Sequence, residues 1–411
     1  MATIKPFRGL RFTKKAGTLN ALVCPPYDII NEQQRLGFLT ENPHNIIRLE
    51  LPKEGENRYA TAADTLQSWI DNEILALDDM PAVYILEVKF EHEGAELSFK
   101  SIISKVKVED FERKIILPHE QTLSKDKGDR WDLLSACKTN FSQIQSLYMD
   151  EKCTTSAKIE SLTSRTPNIS AEFEGATHNV WMVSNENDVN ALCGDFTNRK
   201  LYIADGHHRY ETALAYSKAH PEREYVMMAL IDINSPGLVV LPTHRVIRDL
   251  SEFNLEALLE KISADFMAEK MNCKDSARAK LKAMGNSGHK SFTLYADNAY
   301  YNLTLKPENY NKLGDGPLSN LDVTALHELI LQNAIEISKE NFANQTNLTY
   351  TRCEDEAIDT VNKGANCAFI INAPTIAQIE DVCENQLKMP QKSTYFYPKL
   401  VTGLVMAMLE H

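Results

Sequence analysis

The chain has no C-x-x-C pair. Its eight cysteines stand singly, which excludes a zinc ribbon and a thioredoxin-type redox motif. No apolar run approaches the roughly 20 residues needed to cross a bilayer, so no membrane partner is expected. The opening stretch MATIKPFRGLRF lacks the apolar segment of a secretory leader. Single thiols without such a leader fit a reducing, cytoplasmic location. Low-complexity tracts and internal repeats are also missing, which excludes solenoids and disordered arrays. Positive charge is in deficit: 44 Lys and Arg stand against 57 Asp and Glu, a net charge of -13. An acidic chain repels phosphate backbones, so nucleic acid is not an expected partner. Small anions stay open, because a pocket can be basic inside an acidic protein.

What is present is an ordinary soluble composition, 43% hydrophobic and 25% charged, spread over 411 residues. That length exceeds a single core and predicts more than one domain. Helical spacing of Ala63, Leu66, Trp69 and Ile70 predicts an amphipathic helix over 59–70. Alternation over 83–90 and 97–108, with Gly94 between, predicts an antiparallel hairpin. The stretch PHEQTLSKDKGDR (118–130) reads as a polar loop before a helix from Trp131 to about Thr139. Short strands are expected at 180–183, 200–204, 225–233, 238–241, 291–305 and 368–372, and helices at 210–219 and 323–337. Two further helices are expected on either side of MPQKSTYFYPKL, within 373–411. The fold class is α+β, with one part over 1–250 and a C-terminal α+β part over 251–411.

The sharpest chemical signal is Asp205-Gly206-His207-His208-Arg209, where an apolar strand turns into a helix. Gly206 permits a tight turn and a close backbone approach. A helix start attracts an anion through its free N–H groups and its dipole. Arg209 offers a bidentate fork for phosphate, and the two histidines offer donors or a proton in flight. A helix capped by Asp205, with surface histidines, is the plain alternative. A metal site is weaker. Neighbouring helical residues point about 100° apart, so His207 and His208 cannot chelate as an H-x-x-x-H pair does, and no residue is assigned as a metal ligand.

Other constellations are His119 and Glu120 with Thr122, Lys125 and Arg130, where a carboxylate stands beside basic residues as base catalysis near phosphate requires. Thr243, His244 and Arg245 follow an apolar strand, where site residues often sit, and with Lys392, Ser393 and Thr394 they are candidate phosphate or nucleotide ligands. Lys392, Ser393 and Thr394 combine an ammonium with two hydroxyls, without the glycines of a P-loop. His44, His178, His289 and His327 read as structural.

Four segments in order carry a resemblance: KPFRGLRF with PPYDII, ILPHEQTLSKDKGDRWDLL, LYIADGHHRYETAL with VLPTHRVI, and MPQKSTYFYPKLVTGL. Across essentially the whole chain they resemble a bacterial and archaeal family of unknown function. The ADGHHRYETA segment is also similar to the phosphate-binding helix of the ParB/sulfiredoxin superfamily, in its free-serine kinase branch. That resemblance implies a ParB/sulfiredoxin-like mixed-sheet core with N-terminal and C-terminal α/β additions. It implies ATP or ADP and Mg²⁺ as cofactors and free L-serine as the leading acceptor, with O-phosphoserine as product. Gly206, His207, His208 and Arg209 match the phosphate motif, and Asp205 and Ala213 flank it. His207 and His208 would also serve catalysis. The base would be Glu120, with Glu50 as second choice. The sulfiredoxin-type cysteine is missing here. A homodimer is the expected assembly. Two other readings stay open: a non-catalytic, nucleotide-responsive regulator of ParB type, and a metal-dependent hydrolase.

Overall fold

A computed structural model describes residues 1–120, 122, 124–338, 341–342 and 346–409, without the side chains of 124–126. The chain folds as two compact units. Unit 1 holds Met1–Pro118, Thr122–Val239 and Phe396–His411, and unit 2 holds His119–Gln121 and Val240–Tyr395. The division therefore falls at Val239 rather than near residue 250. The final segment returns to unit 1 instead of closing the C-terminal part.

Unit 1 is built on a nine-stranded mixed sheet. In chain order its strands are β1 (Ile4–Lys5), β2 (Val83–His92), β3 (Ala95–Lys107), β4 (Ile116–Leu117), β5 (Ile144–Tyr148), β6 (Ile169–Phe173), β7 (Ala176–Val183), β8 (Leu201–Asp205) and β9 (Tyr225–Asp232). Across the sheet the order is β4-β8-β5-β9-β3-β2-β7-β6, with β1 on β3. Only β8–β4 and β9–β5 pair in parallel. The expected hairpin is β2–β3, in register from Tyr84↔Ile103 to His92↔Ala95. Its turn uses Glu93 and Gly94, both at positive φ, the conformation a two-residue hairpin needs. Among the helices of this unit are α1 (Arg58–Asp71), α2 (Ser124–Cys137) and α3 (His207–Ala219). Helix α1 buries Ala62, Leu66 and Trp69, the stripe its spacing predicts.

Unit 2 carries a six-stranded sheet. Its strands are β10 (His244–Ile247), β11 (Phe266–Met271), β12 (Ser291–Ala296), β13 (Ala299–Leu305), β14 (Leu348–Thr351) and β15 (Cys367–Ile371). They lie in the order β11-β13-β12-β15-β10-β14, all antiparallel. Alternation sends Cys367, Phe369 and Ile371 to one core and Ala368 and Ile370 to another. The first core takes in helix α4 (Leu255–Ile262). The second takes in Leu281 of α5 (Lys274–Asn286) and Ala357 of α6 (Glu354–Asn362).

Several expectations are corrected. Helix α2 starts at Ser124, inside the stretch read as a polar loop. Its interior Gly128 costs only about 1 kcal/mol, which the packed remainder of the helix offsets. The helix expected over 323–337 is an α-turn at Asp322–Ala325 followed by a π-helix at Leu326–Gln332. One helix, α7 (Ile376–Glu384), precedes MPQKSTYFYPKL, and none follows among the described residues. Pro398 and Gly403, at φ 104, interrupt that tail. Leu400, Val401, Leu404, Val405 and Met406 are all buried, and a run buried on every side has no readable period. Instead Ala407–Met408 pairs with Thr139–Asn140.

Phe369 lies fully buried on a central strand of unit 2, whereas Met267 on edge strand β11 is 54% exposed. Phe369→Ala is expected to cost about 3–5 kcal/mol by urea denaturation, and Met267→Ala less than about 0.5 kcal/mol. Equal costs for the two would contradict this core.

Candidate functional site

Strand β8 ends the way its sequence requires. Leu201 to Ala204 are buried, and the ladder to β5 shifts register between Ile203 and Asp205. Such a bulge re-aims the next side chain, here Asp205. Gly206 then takes φ 90 as the N-cap of α3, and no side chain caps the helix. A Cβ at Gly206 would stand 2.9 Å from the Arg209 guanidinium. Both the backbone conformation and the space therefore call for glycine.

Asp205 does not cap the helix, which removes the plain alternative for this residue. Its two oxygens bind Lys399 Nζ and, at 2.6 Å, Arg209 Nη2. Burial alone would raise its carboxyl, but Lys399 and Arg209 outweigh burial and hold it well below the usual carboxylate range. Arg209 also donates from Nη1 to the Gln143 carbonyl, while its Nε is buried without a partner. His207 is buried and His208 half-buried at the first turn.

Glu50 belongs to the same unit. Buried Asn45 sets its segment by donating to the carbonyls of Ala21 and Val23 and accepting from Ile47 N at 2.9 Å. The Glu50 carboxylate accepts from Ser142 Oγ at 2.9 Å and lies 3.5 Å from Arg130 Nη1. Burial raises its pKa, against the pull of Arg130, Arg209 and the Ser142 hydrogen bond. Arg130 donates to the Glu50 carbonyl at 3.0 Å, pairs with Asp129 at 2.5 Å and lies over the Tyr27 ring at 3.9 Å. A cavity of about 50 Å³ is lined by Glu50, Arg130, Ser142, Arg209 and Thr212, among others. Thr212 Oγ1, like Arg209 Nε, is buried without a partner. Thr122 donates to Glu211 at 2.7 Å, and Lys127 reaches the same carboxylate at 2.9 Å, tying the α2 region to α3. The side chain of Lys125 lies outside the described residues.

The remaining expected residues gather in unit 2. His119 Nε2 meets Thr394 Oγ1 at 2.8 Å, and Glu120 Oε1 accepts from Lys392 N at 2.8 Å. Arg245 is fully buried. It donates to the carbonyls of Thr243 and Lys392, the latter at 3.1 Å, and to His327 Nε2 at 3.3 Å. Burial pulls its pKa down to about 10. Ser393 donates to the Pro390 carbonyl. His244 accepts from Ile371 N at 3.3 Å, and burial lowers its pKa to about 4. These groups hold the 389–394 segment within unit 2, and the Lys392 side chain is exposed.

Sequence reasoning missed Lys399, Ser142 and Thr212. Lys399 was legible as the second lysine of the MPQKSTYFYPK segment, seven residues after the one chosen. Ser142 and Thr212 carry no local signal. Among the described residues no cluster of three or more His, Cys, Asp or Glu could hold a metal, and no helix is long and apolar enough to cross a membrane.

A family model described as a protein of unknown function (DUF1015) matches residues 4–324. No curated protein matches the chain. Solved structures similar to it include a conserved hypothetical protein from Pyrococcus furiosus, 13% identical with a TM-score of 0.36, over 74% of this chain and 95% of that one. A mutant free serine kinase in complex with ADP is 12% identical with a TM-score of 0.41, over 75% and 92%. SbnI from Staphylococcus aureus is 9% identical with a TM-score of 0.39, over 74% and 86%.

Asp205→Asn leaves Lys399 and Arg209 buried without their shared anion, an expected loss of about 3 kcal/mol or more near neutral pH. The folded carboxyl titrates below the unfolded value of about 3.9. Its contribution is therefore full above that value and fades as the pH falls below it. Denaturation of both proteins at about pH 7 and pH 3 should give a smaller difference at the lower pH. An equal difference would refute the clamp.

Proposed function

We propose, for a chain that belongs to the family of unknown function DUF1015, that unit 1 is a nucleotide-dependent phosphotransferase acting on a small hydroxylated metabolite, with free L-serine as the leading acceptor. The observation that carries this reading is the single cavity bordered by both Arg209, from the helix start, and the buried carboxyl of Glu50. The phosphates of ATP or ADP sit at the start of α3, where the Gly206 backbone permits close approach and Arg209, His207 and His208 supply donors. Arg209 is preset by Asp205 and the Gln143 carbonyl, which fixes its fork before the anion arrives. Glu50 takes the acceptor hydroxyl proton. Burial brings its basicity closer to neutrality, where a general base works best. Ser142 and Arg130 orient that carboxylate. Glu50 rather than Glu120 is the base in this reading, because Glu50 shares the cavity with Arg209 within one unit.

Mg²⁺ would offset phosphate charge when bound with the nucleotide. Both Asp205 oxygens are committed to cations, so this carboxylate offers the metal no free ligand. The other phosphate candidates, Thr243, His244, Arg245, Lys392, Ser393 and Thr394, lie in unit 2 apart from this cavity's lining, and this reading does not use them.

A second reading, a nucleotide-responsive regulator without turnover, is favoured by one observation. The cavity beside Glu50 is about 50 Å³, room for a few waters rather than a metabolite.

Arg209→Ala is expected to weaken ATP and ADP binding by about tenfold or more in calorimetry. Glu50→Gln should preserve binding and lower phosphoserine formation by about 10²–10⁴, while Glu120→Ala changes neither strongly. The acid limb of the wild-type kcat/KM profile should lie above the ordinary glutamate range, since burial raises Glu50. Tight nucleotide binding with no phosphoserine from either donor selects the second reading. No nucleotide binding by folded protein rejects both.

A further inference from the structure

Unit 2 contains a larger cavity, of about 310 Å³, where β15 leaves the sheet and runs into α7. That volume sits at the lower end of the roughly 300–1,000 Å³ typical of small-molecule sites. Its walls come from the end of α5, the turn into β12, the 321–323 segment and residues 371–378. Two opposite charges face each other there, and no close hydrogen bond joins them. Lys290 is only 8% exposed, and its ammonium has Asp322 Oδ1 at 4.0 Å as its recorded partner, beyond hydrogen-bond length. Asp322 accepts one long bond, from Asn372 Nδ2 at 3.4 Å. Burial raises its pKa to about 6, against the pull of Lys290 and Asn372. Gly285 makes room for Asn372, since a Cβ there would stand 2.5 Å from Asn372 Nδ2.

A buried Lys290 and a half-buried Asp322 without a close hydrogen bond between them are costly. An ordinary anion would satisfy Lys290 but be repelled by Asp322, and an ordinary cation would do the reverse. A ligand with a carboxylate and an ammonium on adjacent atoms answers both at once. Its carboxylate accepts hydrogen bonds from the Lys290 ammonium, and its ammonium donates to Asp322. Asn372 steadies the Asp322 carboxylate, and apolar wall residues such as Val323 and Pro374 face the rest of the ligand. We propose that this cavity in unit 2 binds a free α-amino acid. The helix start at Ile376 is not the anchor, because Thr375 and Gln378 already cap it reciprocally.

Calorimetry of the full chain against the proteinogenic L-amino acids tests the assignment. Each amino acid that binds is re-examined as its des-amino carboxylate and as its decarboxylated amine. One or more amino acids should bind saturably, and both truncated analogues should bind about thirtyfold more weakly or worse. Asp322→Asn, Lys290→Met and Gly285→Ala should weaken binding, the first two by about thirtyfold or more. Arg209→Ala should leave it intact, which separates this cavity from the phosphotransferase reading of unit 1. Thermal unfolding confirms that each variant folds. The analogue comparison stands on the wild type alone if Lys290→Met does not fold. Failure of every amino acid to bind would overturn the proposal. So would a carboxylate binding as well as its amino acid, or binding lost in Arg209→Ala but kept in Asp322→Asn.

Discussion

One carboxylate between two cations organises the chemistry of unit 1. An aspartate before a helix ordinarily caps it by accepting from the first-turn N–H groups. Asp205 is turned away from that role by the bulge in β8 and binds Lys399 and Arg209 instead. The helix start then has no side-chain cap. It keeps the dipole and backbone that favour an anion. The same triad joins the end of a central strand, the first turn of α3 and the returning segment 396–411. A buried ion group of this kind adds little net stability compared with apolar packing. Its value lies in fixing where Arg209 points.

The charges around Glu50 complete the account. Arg130, Arg209 and Lys399 stand against Asp129, Asp205 and Glu50, so unit 1 holds nearly balanced buried charge at this place. Burial still raises Glu50, against the neighbouring cations. An arriving phosphate would add negative charge and raise Glu50 further. Arg130 and Ser142 therefore do more than position the carboxylate. They oppose that rise and keep a fraction of Glu50 ionised when an anion lies beside Arg209.

The legible parts of the fold were those with local signatures. The hairpin β2–β3 and helix α1 declare themselves by period and by turn residues, and strand β15 by a short apolar run. Strand β11 (FMAEKM) does not. It is an edge strand whose middle is exposed on both faces, so no alternation marks it. The helix start at Gly206 was readable because strand, glycine and arginine fall within a few residues. The bonds between Asp205 and Lys399, and between Glu50 and Ser142, span 194 and 92 residues. No local pattern encodes them. Charge type alone also misled at Arg245, which looked like a phosphate ligand and is a buried tie between strand β10 and the 391–392 carbonyls.

The segments that carried the resemblance divide by task once their contacts are compared. In KPFRGLRF, Gly9 donates its N–H to Tyr84 Oη at 2.7 Å, and a Cβ there would collide with that hydroxyl at 2.5 Å. Tyr84 donates in turn to Asp78 at 2.6 Å, which also pairs with Arg11. That network locks the N-terminal strand residues to the sheet and faces no cavity among those described. PPYDII contributes Tyr27, the ring beneath Arg130. MPQKSTYFYPKL contributes Lys399 to the clamp, while its first half is tied down by Arg245 and Glu120. ADGHHR supplies the helix start, PPYDII and MPQKSTYFYPKL reach it through Tyr27 under Arg130 and Lys399 on Asp205, and KPFRGLRF fastens the N-terminal strand residues instead. A rigid frame of that kind is what charge stabilisation at a phosphate requires, since donors gain most when they need not reorganise.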